Sequence, residues 1–297
     1  MNKSDPPEKR LVVIAGPTAS GKSAAALDVA QAEQGTVINA DASQVYRDLK
    51  ILSARPDEDE MAGIPHRLYG CVDGAEACSA ADWAAMAKRE IAAVRAEGRL
   101  PILCGGTGLY LNTLILGLAP VPEIDPEIRS DVRDMETGEL AAALEREDPR
   151  MSAELRPSDT QRLARALEVV RSTGRSLAQW RTERTGGIAS DTEIDFRVVD
   201  LPRDQLYARC DTRFDLMIEA GALEEVGTLM DRKLAPDLPV MKAIGVPPLA
   251  AHLRGELSLE DAVEQAKRDT RRYAKRQQAW FRTQRPVASP VAGPETR

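Results

Sequence analysis

The run Gly16-Pro17-Thr18-Ala19-Ser20-Gly21-Lys22-Ser23 satisfies the pattern G-x-x-x-x-G-K-[ST] at every fixed position, and the chemistry it supports is phosphate binding. Glycines let backbone N–H groups close around phosphate oxygens, a following helix contributes the positive end of its dipole, and Lys22 supplies a mobile cation. The Ser23 hydroxyl suits a magnesium ion, Mg2+. A carboxylate follows at Asp41, directly after the apolar run Thr36 to Ala40, where it can take a proton from a nucleophile. A second glycine-rich turn, Gly105-Gly106-Thr107-Gly108, adds the Thr107 hydroxyl near the end of another apolar run.

These groups need a scaffold that gathers them, and the apolar runs describe one. Leu11 to Ala15 is continuous enough for a strand buried on both faces of a parallel sheet, and Ser23 to Glu33 reads as the helix after the loop, ended by Gly35. Thr36 to Ala40 and Leu100 to Cys104 read as neighbouring strands. In an open α/β sheet ligands collect at the carboxyl ends of strands, which brings Asp41 and Thr107 toward the loop. Arg47 to Gly70, with Pro56 and Pro65, reads as a connection. Ser79 opens a helix in which Trp83, Met86, Ala87, Ile91 and Val94 recur at helical spacing, with Gly98 as its C-cap.

After Leu118 the composition changes. Pro120, Pro122 and Pro126 crowd together, residues 123–150 hold ten acids against four arginines, and residues 156–184 hold seven arginines against three acids. This is a helical module with one basic portion. Ser158 to Gln161 forms an S-x-x-Q capping pattern before a helix whose Leu163, Leu167 and Val170 make an apolar stripe, leaving Gln161, Arg162 and Arg165 outward. Gly186-Gly187 ends the module, and Ile194 to Leu201 returns to strand pattern. Strand signals on both sides of the helices imply an α/β fold: a P-loop parallel-sheet core over 1–119 and 193–285, an inserted helical domain over 120–192, and a structureless tail over 286–297. Helices follow over Asp204 to Ala220, with Leu206, Cys210, Phe214 and Met217 on one face, and over Leu223 to Met230; Val240 to Pro248 is broken by Pro and Gly. The last helix, Leu259 to Gln284, carries Lys267, Arg268, Arg271, Arg272, Lys275, Arg276 and Arg282 with Tyr273, Trp280 and Phe281 among them, an interleaving suited to a nucleic-acid backbone and its bases.

Composition bounds the classes. With 297 residues and a formal charge of -7, global attraction to nucleic acid is excluded, although local basic faces are not. The four cysteines show no C-x-x-C spacing, which argues against zinc. No apolar run approaches ~18 residues, so the chain reads as a cytoplasmic protein with reduced thiols, without membrane partners and monomeric. Three reactions suit a phosphate loop with a nearby acid: phosphoryl transfer by a kinase, alkyl or prenyl transfer with diphosphate as leaving group, and nucleotide hydrolysis in a switch.

Six segments resemble one family in the same order. GPTASGKS, INADASQVY (Ile38 to Tyr46), IPHRL (Ile64 to Leu68), PILCGGTGLY (Pro101 to Tyr110), DTQRLARALEV (Asp159 to Val169) and TRRYAKRQQAWFR (Thr270 to Arg282) are similar to the tRNA dimethylallyltransferases, also called tRNA isopentenyltransferases. The resemblance implies transfer of a dimethylallyl group from dimethylallyl diphosphate to N6 of the adenosine 3′ of the anticodon, position 37, with a P-loop nucleotide or nucleoside kinase as the alternative. It makes Asp41 the general base, with Lys22, Thr107 and Arg213 as catalytic groups around the diphosphate in loop 16–23. It implies tRNA anticodon stem-loop contacts at Asp41, Ala42, Ser43, Gln44, Thr107, Arg129, Gln161, Arg162, Leu163, Ala164, Arg165 and Lys242. Two departures stand out: the family's D-S-x-Q is Asp41-Ala42-Ser43-Gln44 here, and its tyrosine after I-G is Val246. In an extended segment Ser43 faces away from the position of the missing hydroxyl. Read without the family, Gln44 satisfies backbone groups in a loop, His66 is structural and Cys104 is packing.

Overall fold

A computed structural model describes residues 9–284 and Pro286. The first apolar run forms β1 (Arg10–Ala15), with Leu11 to Ala15 all at 1% exposure or less. The glycine-rich loop leads into α1 (Lys22–Ala32) through Gly21, whose φ of 95° lies in the left-handed region that glycine reaches without steric cost. β2 (Gly35–Asn39) begins at Gly35, so this glycine opens a strand instead of closing the helix; a Cβ on it would stand 2.4 Å from Ile102 Cδ1. The expected connection after residue 47 contains β3 (His66–Arg67), paired to β2 through Val37 with His66 and Ile38 with Arg67. Two residues are too few for any periodicity to mark them. α2 (Ala80–Ala96) starts at a reciprocal Ser79–Asp82 capping box, and β4 (Leu100–Gly105) is buried throughout. The apolar run after Thr107 coils into α3 (Gly108–Leu116).

With β5 (Glu193–Val198) the sheet is complete, in the order β3-β2-β4-β1-β5 and parallel at every pair. Alternation along β1 explains why its run is unbroken. Leu11, Val13 and Ala15 enter one apolar cluster with Trp83 and Leu103, while Val12 and Ile14 enter another with Ala26 and Ala30 of α1. Both faces are therefore covered, as a parallel sheet requires.

Residues 116–187 form a separate compact unit. It comprises α4 (Pro126–Arg133), α5 (Thr137–Glu147), α6 (Pro149–Glu154), α7 (Thr160–Thr173) and α8 (Leu177–Trp180), around Val132, Leu140, Leu144, Met151, Leu163 and Leu167. Leu118 and Thr185 exchange backbone hydrogen bonds of 3.0 and 2.9 Å, which sets the unit's ends outside 120 at one side and inside 192 at the other. α7 starts one residue later than the S-x-x-Q pattern demands. Asp159, not Ser158, accepts from the Arg162 amide, and its negative charge suits the helix N-terminus.

The remaining core helices are α9 (Arg203–Glu219), α10 (Ala222–Asp231), α11 (Val246–Leu253) and α12 (Leu259–Thr283). Pro247 and Pro248, which read as breakers, occupy the first turn of α11, where a missing N–H costs no helical bond. α12 turns Ala262, Ala266, Thr270, Ala274, Gln277, Gln278 and Phe281 inward. Phe281 is thus core, and Trp280 covers Gly108, where a Cβ would approach it to 2.4 Å. These two aromatics pack the helix against the sheet domain and are not interleaved with its outward charges. Of the tail expected from 286 onward, only Pro286 is among the described residues.

Candidate active site

The turns at the carboxyl ends of β2 and β4 are tied together by hydrogen bonds. The Thr107 amide donates to Ala40 O at 3.2 Å, and the Ala42 amide donates back to Thr107 Oγ1 at 2.9 Å. Asn39, a buried polar side chain ending β2, accepts from the Asp41 amide at 2.8 Å and donates to Asp41 O at 3.0 Å and Leu68 O at 3.1 Å. Asp41 Oδ1 in turn accepts from the Ser43 amide at 3.0 Å, which fixes the carboxylate's direction. Residues 42–45 form a turn, so the face-alternation of an extended strand does not apply and Ser43 shares the cleft with Asp41.

That cleft has two kinds of wall. Thr18, Asp41, Ser43, Ser53, Arg213 and Tyr273 present polar groups; Leu49, Leu52, Phe214, Met217, Ala243 and Ile244 present an apolar surface. The polar groups suit an anion and the apolar ones a small hydrocarbon group.

The cations beside it are held at a cost. Burial lowers the pKa of Lys22, with Asp41 opposing the shift and Arg213 adding to it, and among the described residues Lys22 Nζ reaches only Pro17 O, at 3.4 Å. Arg213 is likewise lowered by burial while Cys210 and Asp41 oppose, and its Nη2 donates to Thr18 Oγ1. Arg213 therefore faces the loop from α9 and makes no ion pair among the described residues. Two desolvated cations with so little anionic compensation make a site that a bound diphosphate would complete. Burial also raises the Tyr273 phenol, which lies within hydrogen-bonding reach of Thr107 and Gln277. Cys104 is pushed up to about 11 by burial, so its thiol stays neutral.

The family model described as IPP transferase matches residues 44–284. The chain belongs to the IPP transferase family. A tRNA dimethylallyltransferase from Sphingopyxis alaskensis is 57% identical over 281 residues, covering 94% of this chain and 92% of that protein. The crystal structure of a full-length tRNA isopentenylpyrophosphate transferase from Bacillus halodurans aligns with a TM-score of 0.68 at 34% identity, over 94% of this chain and 89% of that one. A eukaryotic dimethylallyltransferase, solved in snapshots of its action on tRNA, aligns with a TM-score of 0.78 at 30% identity, over 92% of this chain and 70% of that one.

For this IPP transferase family member, the structure brings Thr18, Asp41, Ser43 and Arg213 to one cleft, with Lys22 coupled to both charges and Thr107 bonded to the turn. Gln44 lies elsewhere in its bonding: its Nε2 donates to Ser53 O at 3.1 Å and Ala54 O at 2.7 Å, so its amide nitrogen already serves the backbone. Lys242 is exposed on a 3-10 turn, next to cleft residues Ala243 and Ile244. In the helical unit, Gln161, Arg162 and Arg165 are exposed, with Arg162 paired to Asp159 at 3.4 Å and Arg165 to Glu168 at 3.3 Å. Arg129 is half-buried there. Leu163 departs from its expected role: at 1% exposure its side chain is core, and Ala164 is half-buried against the same core. His66 Nδ1 meets Ile64 O at 2.8 Å, a structural contact.

Sequence reading missed Asn39 and Gln277. Each is a polar residue at a position whose neighbours are buried, and such a side chain must have partners. It also missed that Phe214 and Met217, noted as one face of α9, wall the cleft.

Proposed function

We propose that this protein transfers a dimethylallyl group from dimethylallyl diphosphate to N6 of the adenosine 3′ of the anticodon in tRNA, position 37, releasing diphosphate. The observation that carries the proposal is a single cleft in which an anion-binding loop with Arg213, the oriented Asp41 carboxylate and an apolar wall meet. The N6 nitrogen attacks the allylic carbon, the carbon–oxygen bond to diphosphate breaks with its electron pair going to oxygen, and the N6 proton passes to Asp41. Lys22, Arg213 and the loop amides not already bonded within the protein, as those of Thr18 and Ser20 are, answer the charge that grows on the leaving group. Thr107 accepts from Ala42 and so keeps its own O–H for donation. Phe214, Met217 and Leu52 suit the five-carbon chain, and water kept off the allylic carbon favours transfer over hydrolysis.

Adenine inside a stacked loop cannot reach this depth and must be extruded, at a cost of a few kcal/mol. The exposed residues Gln161, Arg162, Arg165 and Lys242, with the outer face of α12, are the candidates for holding the surrounding RNA. Ser23, exposed at the loop's end, is the residue whose hydroxyl would hold a magnesium ion there. The ion would help neutralise the leaving diphosphate. In this reading the enzyme works as a cytoplasmic monomer, and no helix among the described residues is long and apolar enough to cross a membrane. A kinase would use the same loop and acid; the transferase names carried by the relatives speak against it.

The test offers an anticodon stem-loop with either carbon-labelled dimethylallyl diphosphate or γ-labelled ATP. Label from the prenyl donor should reach the RNA. Label from ATP on a small acceptor, with none from the prenyl donor, overturns the proposal.

A further inference from the structure

Gln277 sits on the inward face of α12 at 5% exposure, surrounded by Ala, Thr and Phe positions of that face. Both ends of its carboxamide are used. Oε1 accepts from the Thr18 amide at 2.8 Å, and Nε2 donates to Gly106 O at 2.9 Å. It therefore bridges the phosphate loop after β1 and the Thr107 turn after β4. The fit is close: a Cβ on Gly106 would stand 2.2 Å from Gln277 Nε2 and 2.9 Å from Gly16 O. One turn earlier, Tyr273 reaches Thr107 and Gln277. Beyond the bridge, Thr18 Oγ1 receives Arg213.

We infer that Gln277 is a positioning residue for the diphosphate: one carboxamide fixes the Thr18 amide and the Gly106 carbonyl together, and so sets the spacing between the Lys22 loop, Arg213 and Thr107. A group serving only as filling in this apolar face would cost less as Leu or Met, because a buried amide is unfavourable unless both ends are bonded. The task needs an acceptor and a donor about one amide apart. A neutral carboxamide supplies both, and an ionised carboxylate supplies only acceptors. The inference rests on the reading of the cleft as the diphosphate site.

Gln277→Glu and Gln277→Met separate positioning from packing, with inorganic pyrophosphate binding by calorimetry and dimethylallyl transfer as the measurements. In Gln277→Glu the ionised carboxylate would set an acceptor against Gly106 O, whereas the protonated acid restores the donor. The charged and titratable groups around this point are Lys22 of α1, Asp41 after β2, Arg213 of α9 and Tyr273 of α12. The wild type carries the same groups, so the variant-to-wild-type ratio at each pH isolates the substituted side chain. Pyrophosphate affinity of Gln277→Glu should fall about tenfold at high pH and recover as pH is lowered, and Gln277→Met should lose about as much at every pH. Transfer should follow the same ratios. Wild-type pyrophosphate affinity in Gln277→Met, or a deficit in Gln277→Glu that does not change with pH, overturns the inference. Should Gln277→Met not fold, the Gln277→Glu ratio followed to about pH 9.5 decides alone. A wild-type protein that binds pyrophosphate but transfers no prenyl group would count against the proposed function and leave the bridge intact.

Discussion

The Ala42 amide donates to Thr107 Oγ1 at 2.9 Å, so the residue beside Asp41 hangs on a turn 65 positions further along the chain. The hydroxyl that the family resemblance places at the diphosphate is thereby also a support for the Asp41 turn. Thr107→Val keeps the shape and removes the acceptor, leaving a part-buried N–H without its partner at about 1–3 kcal/mol. We expect kcat to fall about 10- to 100-fold in steady-state kinetics, with Thr107→Ser retaining most activity. Activity lost in Thr107→Ser and kept in Thr107→Val would show that the methyl, not the hydroxyl, matters.

Asp41 is oriented by the Ser43 amide at 3.0 Å, a bond that an asparagine oxygen can also accept. Asp41→Asn should therefore keep the turn and lose the base. Single-turnover transfer is expected to drop about 10²- to 10⁴-fold, with anticodon stem-loop affinity nearly unchanged. A rate within a few-fold of wild type would remove Asp41 from that role.

Lys22 has a lowered pKa in the folded, ligand-free chain because burial disfavours its charge. The unfolded chain then binds more protons between the lowered value and the ordinary lysine value, so stability rises with pH across that window. Relative to Lys22→Met, wild type should be the less stable protein at neutral pH, and the gap in melting temperature should narrow as the pH approaches about 10. Pyrophosphate should stabilise wild type and leave Lys22→Met almost unmoved. A gap that widens with pH would contradict the burial of this ammonium group.

Charges on α12 divide into two sets. Lys267 pairs with Asp215 at 2.7 Å and Arg271 with Asp211 at 2.6 Å, both across to α9, whereas Arg268, Lys275 and Arg276 are exposed. If the outer set meets RNA phosphates, charge reversal at Arg268 and Lys275 should reduce the salt dependence of stem-loop binding by about 1 to 2 in logarithmic slope. Replacing Lys267 should change stability more than that slope. A filter-binding series over salt concentration reads both.

How far this could be read beforehand depended on whether a signal was local. β1, the loop and β2 announce themselves through unbroken apolar runs and fixed glycines, and Asp41 follows from them. β3 could not be read, because His66–Arg67 is a strand only through its pairing with Val37 and Ile38. α11 was hidden by prolines that stop a helix anywhere but in its first turn. The site divides the same way. Lys22 and Ser23 are written in the motif, but the place of Arg213 depends on α9 packing against the loop, and that of Gln277 on the rotation of α12. At Leu163 and Gln44, residues matched to RNA contacts, the side chain or its amide nitrogen is engaged with the protein itself, which the motif match does not foretell.

The partner of the Thr18 amide lies 259 positions downstream. During synthesis the loop emerges among the first segments, yet β1 lacks β4 until residue 105 and β5 until residue 198 have been made. Gln277 comes later still. A nascent chain thus carries the phosphate motif long before the Thr18 amide can have this partner, and the contact closes one of the longest loops in the chain. On the proposed function, donor binding would by connectivity alone wait until the chain is nearly whole.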